Sequence, residues 1–307
     1  MTGVLCLSKP ADMTSFQAVW KVRGILGEKK AGHCGTLDPM ATGVLPVMLG
    51  GATRFLEFLP TSPKRYRAVM KLGVVTDTLD LTGTVLKTRD VSAGREDILA
   101  ALDRFRGDIL QVPPMYSALK KDGVRLYDLA RRGIEVEREE RPVTIYEIEL
   151  LPDGTDGTDP ANGEYVLDVT CSGGTYIRTL LDDLGTALGC GAAMAALQRT
   201  GVGVFSLSNA VTLEQLEQAR DEGAAADLLL PVGDALSLYD EIRVTDPQAV
   251  RFRNGGELAL ARLRGLPEAP EDGRLLRVFD HDHSFLGLGE VSAETESLLV
   301  RRVFVSR

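Results

Sequence analysis

The stretch GHCGTLDPMATGVLP (32–46) restricts the chain more than any other. No regular helix runs through three glycines and two prolines in so short a span. Pro39 offers no backbone donor and drives the residue before it towards extended conformations. Asp38 is that residue. Its carboxylate is held on stiff, non-helical backbone, a setting that suits a reacting group and a solvated turn equally.

The segments around this loop are strongly periodic. TSFQAVWKVRGILG (14–27) predicts a helix capped by Thr14 or Ser15 and ended by Gly27. Its apolar face would comprise Phe16, Val19, Val22, Ile25 and Leu26. KRYRAVMKLGV (64–74) alternates as a strand, with Tyr66, Ala68, Met70 and Leu72 facing inward and Arg65, Arg67 and Lys71 facing solvent or a partner. EDILAALDRFRG predicts a short helix stopped at Gly107, and EYVLDVTCS (164–172) a further strand. TYIRTLLDDLGTALG (175–189) turns helical through Ile177, Leu180, Leu181, Leu184 and Leu188. TLEQLEQA opens with a capping box, Thr212 to Gln215, and PDGTDGTDPANG (152–163) reads as a mobile surface loop. After about Asp240 short strands alternate with Gly, Pro and Asp. The expected architecture is α+β: a mixed β-sheet body flanked by helices over residues 1–240, then a compact β-rich unit over 241–307.

A chain of 307 residues supports a substantial core and more than one domain. No apolar run approaches a bilayer span, and MTGVLCLSKP lacks the pattern of a signal peptide, so a cytoplasmic protein is expected. Cys6, Cys34, Cys171 and Cys190 are scattered without a C-x-x-C, which predicts neither a disulfide framework nor a zinc site. His281 and His283, in FDHDHSF, read as a polar hairpin tip. The net charge of −9 argues against a polyanionic partner only until its distribution is inspected. Residues 1–70 carry nine Lys/Arg against four Asp/Glu, and KKDGVRLYDLARR (120–132) five against two. By contrast, 213–241 has eight acids and one arginine. Such a chain can bind nucleic acid through one face, although uneven surface charge has the same appearance.

No Walker sequence, G-x-G-x-x-G, H-E-x-x-H or G-x-S-x-G is present, and the two glycines of CSGGTY read as a plain connection. What remains is one constrained carboxylate, Asp38, an inward Tyr66, and Arg178 near a helix start. Each also has an ordinary reading: a turn aspartate, a core tyrosine, and an i,i+4 ion pair between Arg178 and Asp182.

GHCGTLDPMATGVLPVMLGGATR closely resembles the catalytic segment of the bacterial tRNA pseudouridine-55 synthases (the TruB type), which usually read G-H-T-G-x-L-D-P-x-A-T-G-V-L. GVLCLSKPADMTSFQAV is similar to that family's opening Lys-Pro segment, and KRYRAVMKLGVVTDTLDLTG to its tyrosine strand. QVPPMYSALKKDGVRLYDLARRG resembles its flexible RNA-gripping insertion, here about residues 115–140, and CSGGTYIRTLLDDLG its arginine segment. The likeness runs in one order over roughly residues 3–235, and the tail is more loosely similar to a small PUA-like RNA-binding domain.

The resemblance implies an enzyme that isomerises uridine 55 in the tRNA T loop to pseudouridine. Asp38 matches the nucleophile, whose route (attack on the sugar, attack on the base, or removal of a sugar proton) stays open. Arg178 matches the arginine that pairs with that carboxylate, and Tyr66 the residue that stacks on the target base. Leu197 would close the pocket and Tyr176 shape its floor. Lys9 and Pro10 match a pair that supports the loop, and His33 a residue that fills the place of the extruded base. Arg65, Arg67, Lys120, Lys121 and Arg125 would hold phosphates. Cys34 stands where the family usually has threonine, exchanging a good hydroxyl hydrogen bond for a weaker thiol; altered loop packing with activity kept is expected. The implied partner is the T arm of tRNA, with no cofactor, metal or membrane, no required protein partner, and a monomeric state. Two other readings stand beside it: a tRNA-binding folding chaperone, and the catalytic subunit of a guide-RNA-dependent pseudouridylation complex. The absence of lysine beyond Lys121 disfavours the latter, whose members carry lysine-rich extensions.

Overall fold

The alternation in KRYRAVMKL produces the strand Lys64–Leu72, on which the middle of the chain is built. Tyr66, Ala68, Met70 and Leu72 are buried and Arg65 is exposed, as a period of two requires. These relations come from a computed structural model of the protein, which describes residues 1–266 and 271–305. The chain divides into two compact units. One comprises Met1–Asp38, Gly43–Thr61 and Gly203–Arg307, and the other Pro39–Thr42 and Ser62–Val202.

In the second unit Lys64–Leu72 is paired antiparallel with Glu164–Cys171 on one side and Ala192–Val202 on the other. Arg141–Leu150 and then Gly107–Gln111 extend the sheet, again antiparallel. Helix Ile177–Ala187 packs on Ala192–Val202 through Ile177, Leu180, Leu181 and Leu184, all buried. The predicted helix before Gly107 is Arg95–Leu102, followed by a tighter turn at Asp103–Phe105. Residues 152–163 contain two short 3-10 turns, Thr155–Gly157 and Pro160–Asn162.

In the first unit strand Gly3–Lys9 lies between Thr42–Leu49 and Leu229–Leu230, antiparallel to both. A parallel bridge, Leu7 to Val211, makes the pattern mixed. Helix Ser15–Leu26 starts at Thr14, whose hydroxyl accepts from the Gln17 amide while the Gln17 side chain accepts from the Thr14 amide. It ends at Gly27, whose φ of 64° lies in the left-handed region. Its buried arc is Ser15, Ala18, Val19 and Val22. Phe16 does not belong to that arc. At 100° per residue it lies a quarter-turn from Ser15, and it is 72% exposed.

The tail is β-rich, as expected, with one short helix packed on its strands. Asp240–Arg243 pairs parallel with Leu275–Phe279, and Phe285–Ser292, Ser297–Val303 and Leu258–Ala259 follow antiparallel. Helix Asp246–Arg253, opened by a Thr245/Gln248 capping box, buries Ala249 and Phe252 in their core. His281 and His283 flank the tip between Leu275–Phe279 and Phe285–Ser292. Phe55 packs its ring 5.7 Å from Phe285 and 6.0 Å from Phe304, while Tyr239 donates to the Phe58 carbonyl. Tail and residues 43–61 therefore share one core. Among the described residues no helix is long and apolar enough to cross a membrane.

Candidate active site

Asp38 is half-buried and ends the first segment of its unit, immediately before Pro39. Its position is determined from two directions. Lys9, at the end of strand Gly3–Lys9, is 1% exposed, and its ammonium donates to the carbonyls of Pro10 (2.7 Å) and Met13 (2.6 Å). Charge-assisted bonds of this kind tie down the turn leading into the first helix. Thr14 caps that helix, which leaves the Ser15 hydroxyl for another task. It accepts from the Leu37 amide (2.8 Å) and donates to the Leu37 carbonyl (3.1 Å), both in a buried setting. Each such bond contributes about 1 kcal/mol, and leaving either backbone group unpaired costs more. Lys9 thus binds the backbone of the turn before the first helix, and Ser15 links that helix to the residue before Asp38.

On the other flank, strand Ala31–His33 pairs with Thr42–Leu49, setting His33 opposite Val47. His33 is half-buried. Cys34 is 5% exposed; its amide donates to the Pro46 carbonyl and its thiol lies 3.5 Å from the Leu56 carbonyl. A thiol is a weak donor to such a carbonyl. Gly35, at φ 75°, turns the chain in a way a side chain would oppose.

In the second unit, Arg178 is 5% exposed. It donates to the carbonyls of Thr78 (3.0 Å) and Tyr116 (2.8 Å) and lies 3.6 Å from the Asp80 carboxylate. The ordinary reading of an Arg178–Asp182 pair fails. Burial pushes the Asp182 carboxyl up, whereas a neighbouring guanidinium would pull it down. Asp80 is itself 4% exposed and accepts from the Thr78 hydroxyl (2.8 Å), the Thr82 amide (3.0 Å) and the Thr82 hydroxyl (2.5 Å). Hydrogen bonds to the charged form are what a buried carboxylate requires, so Asp80 is a firm counter-charge for Arg178.

Tyr66 lies opposite Val169 on one neighbouring strand and Arg199 on the other, and Leu197 lies opposite Ala68. Directly paired residues share a sheet face, so Tyr66, Leu197 and Arg199 line the same one. All three are buried, Arg199 completely. Tyr176, at the helix cap, is held by Gln111: its amide donates to Gln111 Oε1 (3.1 Å) and its carbonyl accepts from Nε2 (3.3 Å). The structure thus collects Tyr66, Tyr176, Arg178 and Leu197 in one compact unit, and Lys9, Pro10, His33 and Asp38 in the other.

The basic residues divide. Arg67 is occupied by a bidentate bond to Asp168 (2.8 Å twice) on the adjacent strand, which makes it a sheet residue first. Lys120, Lys121 and Arg125 are exposed on a small hairpin, Lys120–Lys121 against Val124–Arg125, turned at Asp122 and Gly123. Helix Leu126–Ala130 follows, with Arg125 and Arg131 over the Tyr127 ring at 5.7 and 5.5 Å. Sequence reasoning missed Ser15, Asp80, Gln111 and Arg199. Only Asp80 had a local signal, since TDTLDLTG clusters hydroxyls around a carboxylate.

Comparison with known proteins covers nearly the whole chain. Residues 23–177 match the TruB family pseudouridylate synthase N-terminal domain. Residues 178–237 match the tRNA pseudouridylate synthase B C-terminal domain, and 241–304 the C-terminal domain of pseudouridine synthase II TruB. A protein of Pseudomonas putida (strain F1) named tRNA pseudouridine synthase B is 48% identical over 297 residues, 96% of this chain and 93% of that one. Its namesake in Pseudomonas aeruginosa (strain UCBPP-PA14) is 48% identical over 295 residues, 95% of this chain and 92% of its own. Among solved structures, a chain of a Cbf5-Nop10-Gar1 complex superposes with a TM-score of 0.77 at 28% identity, over 100% of this chain and 86% of that one. A chain of an H/ACA RNP bound to a substrate RNA containing 2′-deoxyuridine gives 0.75 at 26%, over 100% and 86%.

Proposed function

Because the chain belongs to the TruB family of pseudouridylate synthases, we propose that it converts uridine 55 in the T loop of tRNA to pseudouridine, with Asp38 as nucleophile. That the protein is an isomerase of the pseudouridine-synthase kind follows from its family. The site and the nucleophile are the finer part. They draw support from a carboxylate whose preceding residue is fixed by Ser15 at both backbone atoms.

The reaction breaks the bond from ribose C1′ to uracil N1, turns the base, and forms a bond from C1′ to C5. C5 gives up its proton and N1 gains one, so nothing is added or lost overall. The base must first leave the folded loop, at a cost of about a few kcal/mol. His33 is proposed to fill the space so created. Tyr66 stacks on the extruded base, its phenol suited to moving the C5 proton, while Leu197 closes over the base and Tyr176 forms the floor. The three routes open to Asp38 all demand an ionised oxygen. Arg178 is the guanidinium proposed to favour that form, itself kept in place by Asp80 and two carbonyls. Lys120, Lys121 and Arg125, on the insertion at 115–140, engage the phosphates. Residues 1–240 are the proposed catalytic domain and 241–307 a PUA-like RNA-binding domain, acting as a cytoplasmic monomer.

The test is a purified full-length protein incubated in chelator with a T-arm stem-loop, the product mapped by chemical labelling. Pseudouridine at the position equivalent to 55 is expected, without added protein or guide RNA. The likeness to chains of H/ACA assemblies raises a second reading, guide-dependent modification. Product only when a guide is supplied would favour it. A chaperone role alone would leave the biological effect of the protein intact after Asp38→Asn.

A further inference from the structure

Helix Ser15–Leu26 presents to solvent a pair of residues that solvent-facing helices rarely carry together. Phe16 is 72% exposed and Trp20 66% exposed. Four residues apart, they are neighbours on one face. One turn further, Gly24 adds no side chain, and no atom lies within 4 Å of where a Cβ would stand, so the surface beyond the rings is open. The helix carries Lys21 and Arg23 and no acidic residue; Glu28, paired with the N-terminal ammonium, and the exposed Lys29 and Lys30 follow it. Lys21 also faces Glu214 of the neighbouring helix Leu213–Asp221. Ser15, a quarter-turn from Phe16 on the same helix, grips Leu37, one residue from Asp38. An aromatic face and the proposed nucleophile therefore belong to the same compact unit.

We propose that Phe16 and Trp20 form a stacking platform for an unpaired nucleobase of the RNA whose uridine is delivered to Asp38. The inference rests on the function proposed above. Two flat apolar rings on a helix that carries cations and no acid match a ligand that is flat and apolar at its bases and anionic along its backbone. A second copy of the chain fits poorly. A two-fold contact would press this patch onto itself and set Lys21, Arg23, Lys29 and Lys30 against their own equivalents.

The experiment uses the one tryptophan of the chain, Trp20, as its own reporter. Full-length protein is titrated with a T-arm stem-loop and with whole tRNA while indole emission is followed. Binding and steady-state kinetics are then measured for Phe16→Ala, Trp20→Ala, the double variant and Trp20→Phe. Stacking predicts quenched emission with at least one of the two RNAs. It predicts a rise of about 5- to 150-fold in Kd and KM for the double variant with kcat kept, and near-complete rescue by Trp20→Phe. Unchanged thermal midpoints verify folding, as the exposure of both rings leads one to expect. Emission unmoved by either RNA, with wild-type KM in the double variant, overturns the platform. So does an emission shift that depends on protein concentration alone, with a doubled mass in light scattering and no response to RNA. Failure of wild-type protein to make pseudouridine would overturn the proposed function instead, because quenching and Kd are read without turnover.

Discussion

Around Asp38 the braces bind main chain: Lys9 holds two carbonyls and Ser15 holds an amide and a carbonyl. Around Arg178 the brace is a side-chain network, in which Asp80 faces the guanidinium and is itself satisfied by Thr78 and Thr82. The first arrangement fixes where a backbone runs and tolerates changes in charge elsewhere. The second fixes a charge, and fails if either member is lost, because an unpaired buried ion is costly. The proposed nucleophile and the guanidinium proposed to tune it are thus stabilised by different physics, and substitutions should separate the two.

The sharpest separation is at the carboxylate itself. Asp38→Asn should lower single-turnover pseudouridine formation by more than about a thousandfold, with RNA affinity nearly unchanged; wild-type rates in that variant would remove Asp38 from the chemistry. Next is Asp80→Ala, which removes one buried counter-charge from the Arg178 guanidinium. A loss of about 3–5 kcal/mol in urea unfolding is expected, with a marked fall in kcat, and Asp80→Asn should recover part of the stability but less of the rate. Ser15→Ala tests the other brace. It should cost about 1–3 kcal/mol by orphaning Leu37 backbone groups, lowering kcat and sparing KM.

The smallest effect probes an acid that no such brace satisfies. Asp183, on the arginine helix, has its carboxyl pushed up from 3.8 to about 6 by burial, and further by Asp182 beside it. Its folded form therefore binds a proton more tightly than the unfolded chain does. The resulting penalty is absent below about pH 4, grows as pH rises towards 6, and is complete above it. Asp183→Asn should raise stability at pH 7 by about 1–2 kcal/mol, given partial solvent screening, and leave it unchanged at pH 4. Parallel thermal melts at the two pH values measure this difference.

What the sequence disclosed were features with a local cause. The tyrosine strand is legible because a sheet has a period of two, and the helices at Thr14 and Thr212 because capping boxes are local. The α+β class followed from such segments and, with the family resemblance, agrees with the fold. Phe16 departs from the apolar face that its type suggests, because its angle from Val19 and Val22 places it on the flank. The tail helix Asp246–Arg253 was passed over despite its Thr245/Gln248 box, masked by the strands around it. Gln111 and Arg199 are hidden for a different reason: each faces a partner that is distant in sequence or across a ladder, and nothing in its own neighbourhood announces it. Asp80 carries a local signal in TDTLDLTG, but its pairing with Arg178 is long-range. Arg178 shows the same limit: the nearby Asp182 is the obvious local partner, whereas Asp80, about a hundred residues away, faces the guanidinium.

The ring cluster of Phe55, Phe285 and Phe304 has a practical corollary for anyone dissecting the molecule. A cut after residue 240 would not release a clean fragment along a seam; it would pull two of three interlocked rings from a shared plug and leave the third bare. Such a fragment should clump or demand detergent, and its poor behaviour would say nothing about where RNA is held.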